Sequence, residues 1–351
     1  MTERSAALLL ATADDHLIDE LVRLAAAAGV VPDIVRDVGS ALHGWAAASV
    51  VLVGTDLAGL LADARPQRRS QVHLVATGAV DGTAFRDALG CGADSVVVLP
   101  TGAESLVDLL TDAADGGGAA GRIVGVIGGA GGVGSTIFAT ALAQVLAERA
   151  PTLLVDADVA GAGIDRVLGT EEAVGTRWDG LAMAAGRLSA RSLRDALPSR
   201  AGLSVLTWPL DRSAGLPVAA LREALSAGSR GYRSVVVDLP RHPDPTIGEV
   251  LARCDRIVLV TTATVPALTA AVRVAQRLPV GRSRVVLRSG GGGVSATDVE
   301  RLLGSPVLAS MKDQRGVDEA ISLGIGPVRS RRGPLARTAR RVADRLGGDS
   351  A

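Results

Sequence analysis

The chain is 351 residues long with a formal net charge of zero, length enough for two domains that each bury a core. Hydrophobic residues make up 48% of it and aromatic ones 2%, so that core is built mostly of Ala, Val and Leu. Cys91 and Cys254 show no metal-ligand spacing, no apolar run approaches a membrane span, and the apolar start at 6–11 is hemmed in by Glu3 and Asp14-Asp15; the expectation is a cytoplasmic protein without disulfides, spanning helix or signal peptide.

Charge is spread unevenly. Residues 1–112 carry seven arginines against fifteen acids, and residues 281–351 thirteen basic residues against seven acids. Opposed ends of this kind keep surfaces soluble and can steer partners. Arginine supplies nearly all the positive charge: Lys312 is the only lysine, and asparagine is absent.

In chain order, apolar runs predict strands at 7–12, 49–53, 72–76 and 95–99, with helices at 16–28, 84–89 and 104–113. Strands alternating with helices predict a parallel sheet covered on both faces. Asp115-Gly116-Gly117-Gly118-Ala119-Ala120-Gly121 reads as a flexible linker. The predicted division is therefore a domain at 1–114, a linker at 115–121 and a larger domain at 122–351. The larger domain repeats the alternation, with strands near 123 and at 152–155, 203–207, 234–238, 256–261 and 284–287. That pattern predicts a doubly wound α/β sheet with its ligand at the carboxyl ends of the strands.

The segment from Gly129 to Thr136 fits the phosphate-loop pattern G-x-x-x-x-G-K-[ST], except that Ser135 stands where the lysine belongs. An apolar strand precedes it and an alanine-rich helix follows, which is the context the motif requires. Backbone N–H groups of Gly129, Gly131, Gly132, Val133, Gly134, Ser135 and Thr136 would cradle a phosphate, helped by the helix N-terminus. The Thr136 hydroxyl is placed to bind Mg²⁺. Leu153-Leu154-Val155-Asp156-Ala157-Asp158 ends a strand with two carboxylates, and Ser234-Val235-Val236-Val237-Asp238 is an apolar run closed by an acid, the Walker B pattern.

On these residues, the segment from 122 to about 327 resembles the MinD/ParA family of deviant-Walker ATPases, whose loop reads K-G-G-x-G-K-[ST]. Here it reads Ala130-Gly131-Gly132-Val133-Gly134-Ser135-Thr136, and Thr261-Thr262-Ala263-Thr264-Val265-Pro266-Ala267-Leu268 is similar to the family's stretch after the fifth strand. The resemblance implies a P-loop NTPase fold, ATP with Mg²⁺ as cofactors, and a homodimer. It also implies that Asp158 positions the attacking water, Asp156 lies in the neighbouring switch, and Asp238 holds Mg²⁺ through water. Both family lysines are missing, at Ser135 and Ala130, and Arg288 stands near the place of the family's adenine-reading asparagine. Loss of one trans-acting cation costs about 10³–10⁵ in rate in related systems, so the expectation is nucleotide binding with slow hydrolysis or none. The alternatives are an active ATPase in which Arg122, Arg166 or Arg241 replaces the lysine, and a nucleotide-free scaffold whose loop merely joins strand to helix.

Residues 7–113 resemble a response-regulator receiver, a flavodoxin-like fold. Thr12-Ala13-Asp14-Asp15 is similar to that family's acid pair, Thr77 to its hydroxyl, and Gly92-Ala93-Asp94 through Leu99-Pro100 to its closing segment. The receiver lysine is Leu99, the phosphoacceptor position is Gly54, and Asp56 comes two residues late. The Asp14-Asp15 pair then reads as a helix cap plus a solvated charge rather than a metal site. The domain reads as a pseudo-receiver that docks a protein partner. A pseudo-receiver followed by a deviant-Walker domain resembles CpaE/TadZ-like proteins, and Arg177-Trp178 with the segment 202–208 resembles the actinobacterial CpaE-like branch of septum-site-determining proteins. The resemblance implies spatial regulation of the septum, or of a polar pilus or secretion apparatus.

Residues 334–346 have helical spacing, with Leu335, Thr338/Ala339, Val342 and Leu346 in one narrow stripe and four arginines elsewhere. The stripe lacks Phe and Trp, so a helix packed on the second domain is expected over a membrane anchor. Arg329, Arg331 and Arg332 just before it could meet a membrane surface or DNA phosphates, with a solvated charge run as the default.

Overall fold

The computed structural model describes residues 8–78, 80–114, 121–182, 188–209, 218–242, 245–289 and 294–348; the linker predicted at 115–121 lies outside the described residues except for Gly121. The chain divides into two units, Met1–Ala119 and Ala120–Ala351.

In the first unit the elements run β1 Leu8–Ala11, α1 Asp15–Ala27, β2 Pro32–Val35, α2 Val38–Gly44, β3 Val50–Gly54, α3 Thr55–Ala64, β4 Val72–Thr77, α4 Gly82–Cys91, β5 Ser95–Leu99 and α5 Ala103–Ala114. The five strands are parallel in the order β2-β1-β3-β4-β5. β1 and β3 are buried along their whole length because both sheet faces are covered. Leu8 and Leu10 face a core shared with α1 and α5, and Leu9 and Ala11 face the opposite core with Trp45, Leu57 and Leu61. Asp14 caps α1 by accepting from His16 and Leu17 N–H, as the cap reading of the acid pair anticipated. β2 escaped the sequence reading because it is a half-exposed edge strand, Pro-Asp-Ile-Val, with no apolar run.

The second unit contains β6 Arg122–Gly128, α6 Ser135–Ala147, β7 Thr152–Asp156, α7 Ile164–Leu168, α8 Trp178–Ala182, α9 Ala190–Ala196, β8 Ser199–Arg200 and β9 Leu203–Leu206. It continues with α10 Val218–Gly231, β10 Ser234–Leu239, α11 Pro245–Arg253, β11 Arg256–Thr262, α12 Val265–Ala275, β12 Ser283–Ser289, α13 Ala296–Leu303, β13 Val307–Lys312, α14 Val317–Ser322 and α15 Pro334–Gly348. Its eight-stranded sheet has the order β13-β12-β11-β6-β10-β7-β9-β8, parallel except for the short edge strand β8. β6 lies between β10 and β11, with β7 to β10 on one side and β11 to β13 on the other, and the crevice at the carboxyl ends at such a reversal is where these sheets hold ligands.

One face of this sheet carries a core with Phe138, Leu142 and Val145 of α6. α6 is apolar nearly all round, which suits a helix buried at the centre of that face. α15 packs beside it: Leu335, Ala339, Val342 and Leu346 all join the same core. The stripe is thus consumed by the fold, and the membrane contact entertained for it has no apolar face to use. Arg331 and Arg340 pair with Glu148, and Arg149 with Asp344, further tying this end of the chain to α6.

Candidate functional site

The loop between β6 and α6 is shaped by its glycines. Gly132 and Gly134 have φ of +70° and +83°, a region costly for side chains, and Gly134 is the N-cap of α6. A Cβ on Gly131 or Gly132 would meet nothing within 4 Å, so the loop presents bare backbone to open space. Gly129 serves packing instead: a Cβ there would stand 2.7 Å from the Ala271 Cβ and 3.2 Å from Thr261. Ser135 Oγ lies 3.0 Å from where a Gly128 Cβ would be, folded back along the loop and bringing no charge to it.

The two predicted strand-end acids come together. Asp156 and Asp238 stand in register on β7 and β10, each 2% exposed. Asp156 is fully engaged: Oδ1 accepts from Asp158 N–H at 3.1 Å, and Oδ2 from the Thr207 hydroxyl at 2.9 Å and Ile164 N–H at 3.3 Å. Trp178 Nε1 donates to its carbonyl at 2.8 Å. Asp156 therefore holds the following loop in place, with each of its oxygens accepting from the chain. Burial pushes its carboxyl up to about 6 against those three donors.

Asp238 differs. Thr136 beside it favours the ionised form, yet its Oδ1 is buried with no partner. Burial, with Asp156 and Asp158 adding repulsion, pushes its carboxyl up to about 8. A hydrated divalent cation beside Thr136 would satisfy that orphan oxygen and favour the ionised form, so these two residues fit Mg²⁺. Asp158 is half-buried and accepts from Ala160 N–H at 3.1 Å on the loop after β7.

Of the arginines considered as lysine substitutes, Arg122 opens β6 at the end away from the loop, about 20 Å along a seven-residue strand, and is ruled out. Arg166 donates to the Ala162 carbonyl at 3.3 Å. Arg241 follows β10 and lines a separate cavity with His242 and Arg277. On the loop's other flank, Arg288 is joined by two residues that sequence reasoning did not place there, Lys312 and Asp313. Arg288 of β12, Lys312 of β13 and Asp313 line a cavity of about 310 Å³ together with Gly132, Val133 and Gly134. The chain's sole lysine, far downstream in sequence, is thus a neighbour of the loop, and only strand pairing could reveal it.

In the first unit, Asp56 sits in the first turn of α3 and reaches back to the β1–α1 loop. It accepts from the Thr12 hydroxyl and from Ala13 N–H, both at 2.7 Å. A Cβ on Gly54 would stand 2.4 Å from Asp56 Oδ1 and 2.5 Å from Thr12 Oγ1, so the acceptor position is filled by its own neighbours. Leu99, at the position of the receiver lysine, is packed into the core.

Comparison with known proteins agrees with both halves. A family profile described as Rv3660c-like, CheY-like N-terminal domain matches residues 11–121. Rv3660c of Mycobacterium tuberculosis is 38% identical over 339 residues, covering 94% of this chain and 95% of that protein. A septum site-determining protein MinD of Nephroselmis olivacea is 25% identical over 207 residues, 56% of this chain and 76% of that one. Among solved structures, a ParA family ATPase from Chlorobium tepidum superposes with a TM-score of 0.57 at 18% identity, over 64% of this chain and 99% of that one. The septum site-determining protein MinD from Pyrococcus horikoshii, complexed with Mg-ADP, gives 0.51 at 19% identity, over 66% and 98%. This chain is a member of the Rv3660c-like family, with a CheY-like N-terminal domain joined to a P-loop domain of the MinD/ParA fold.

Proposed function

We propose that this protein is a nucleotide-binding spatial regulator of the MinD/ParA type, in which Mg²⁺-dependent nucleotide binding switches assembly and hydrolysis is slow or lost. The observation that carries the reading is the orphan Asp238 Oδ1 beside Thr136, at the foot of a loop whose glycines expose bare backbone. A buried carboxylate oxygen without a partner is costly, and its retention is accounted for by a cation. The MinD solved with Mg-ADP supports the same pairing of ligand and metal.

The loop from Gly131 to Thr136 and the N-terminus of α6 would hold the phosphates, and Thr136 with Asp238 the hydrated Mg²⁺. The metal supplies charge that neutralises the phosphates when bound. Asp156 fixes the loop carrying Asp158, which by the family resemblance would orient a water. With Ser135 and Ala130 at the two lysine positions, the loop's own side chains bring no cation to the transferred phosphoryl group, which accounts for weak hydrolysis. The first unit, with its acceptor position filled, serves as a docking module for a protein partner. By the resemblance to CpaE/TadZ-like proteins, the homodimer would regulate septum placement or a polar pilus or secretion apparatus.

Calorimetric titration of the full chain with ATP and with ADP, with and without Mg²⁺, tests this. Mg²⁺-dependent binding that is lost in Thr136→Ala and Asp238→Asn is the expected result. No binding of either nucleotide at millimolar concentration would leave a nucleotide-free scaffold. Sedimentation with and without nucleotide tests the switch, and a monomer in both conditions would remove it.

A further inference from the structure

We infer that the second unit binds a small aliphatic carboxylic acid in the cavity between α11 and α12, on the sheet face opposite α6. None of the lining residues belongs to the phosphate loop or to α6, so this site is independent of the nucleotide reading.

The cavity has a volume of about 400 Å³, within the range of about 300–1,000 Å³ usual for small-molecule pockets. Its floor is apolar. Ile127 comes from β6, Ile247 and Leu251 from α11, Val274 from α12 and Leu278 from the turn after it. All five belong to the core on this side of the sheet, and none is more than 9% exposed. They are core side chains that leave a concave space instead of closing it. Gly248 of α11 stands at the edge of that space, where a Cβ would meet nothing within 4 Å.

The rim is cationic. Arg241 and His242 follow β10, Arg277 follows α12, and all three are exposed. Arg277 Nη2 donates to the Arg241 carbonyl at 2.7 Å, which brings the second guanidinium to the backbone of the first. Among the described residues, no carboxylate pairs with any of the three. Glu249 of α11 is spent on Arg222 and Arg253 instead. Two permanent positive charges thus share one rim, and an anion seated between them would offset their repulsion.

An apolar floor beneath two guanidiniums selects a ligand charged at one end only. The two oxygens of a carboxylate match the planar donor fork of arginine. An aliphatic body gains by leaving water for the floor. A sugar or a nucleotide would bury hydroxyls there without partners, which is costly. A bare inorganic anion would leave the floor uncovered.

The test is calorimetric titration of the full-length protein, without nucleotide, with octanoate, acetate and octanol, in the natural chain, Arg241→Gln and Gly248→Phe. The natural chain should bind one octanoate, and acetate and octanol each at least about tenfold more weakly, since one lacks the body and the other the charge. Arg241→Gln should weaken octanoate about ten- to a hundredfold, what the loss of hydrogen bonding to a charged group costs, and leave octanol unchanged. Gly248→Phe should obstruct the cavity and abolish binding of both. Arg241 is exposed, so its variant keeps the test decisive even where Gly248→Phe does not fold. No octanoate binding by the natural chain at millimolar concentration overturns the inference. So does binding that both variants leave unchanged, which would mark uptake elsewhere on the surface. Octanol bound as tightly as octanoate would overturn the assignment of an acid.

Discussion

Single residues in this protein are explained by what occupies the space around them. Gly54 occupies the place of a receiver's phosphoacceptor because Asp56 and Thr12 already fill the volume a side chain would need. Gly54→Ala should therefore cost about 1–3 kcal/mol, the usual range for overpacking a close-packed site. Gly54→Asp should fail to take up a phosphoryl group from a small-molecule donor, because Leu99 supplies no cation and Asp56 blocks the site. Urea unfolding of the first unit and phosphoprotein gels would check the two statements. A Gly54→Asp protein that is stable and labelled would mean that the Asp56 contact yields easily.

At the scale of elements, amphipathic periodicity tells which face of a helix is apolar and leaves open what covers it. α15 places Leu335, Ala339, Val342 and Leu346 against α6 and β13, so its apolar stripe belongs to the interior. Leu346, 4% exposed, should when changed to Ala destabilise the second unit by about 2–4 kcal/mol. A chemical-denaturation midpoint that does not move, together with weaker vesicle binding, would instead make α15 a membrane anchor. The ion pairs of Arg331 and Arg340 with Glu148 are exposed and add little, so their removal should change that midpoint far less.

On the scale of the whole molecule, the two units should respond to pH in opposite directions. Burial raises Asp156 to about 6 and Asp238 to about 8 from an ordinary 3.8, so the folded second unit holds protons that the unfolded chain would release. Their contribution to stability is full below about pH 4 and declines as pH rises through those values. His73 in the first unit is buried and shifted below its ordinary 6.5, so its contribution is full above that pH and is lost on acidification. Calorimetric scans of the metal-free chain should show the second unit melting lower at pH 8 than at pH 5.5, and the first unit the reverse. Asp238→Asn should flatten the second unit's dependence, and parallel shifts of both transitions would refute the assignment. Among the described residues no helix is long and apolar enough to cross a membrane.

The central strands and the phosphate loop were legible in the sequence because each is contiguous. A strand buried on both faces must be an unbroken apolar run, and a loop that turns backbone N–H groups inward must carry its glycines in order. The edge strands β2 and β13 were not legible, since a strand with one open side needs no such run. Nor was the partner of Asp56, or the wall opposite the loop, where Arg288 reaches Val133 across 155 positions of chain. Sequence by itself determined the two α/β units, the loop without its lysine and the acids at the strand ends, because local chemistry and periodicity suffice for those. Only the tertiary structure decided that both oxygens of Asp156 are engaged while Asp238 keeps an orphan oxygen, what covers the stripe of α15, and that Lys312 flanks the loop. Those outcomes depend on which strands lie side by side, which no short stretch of sequence encodes.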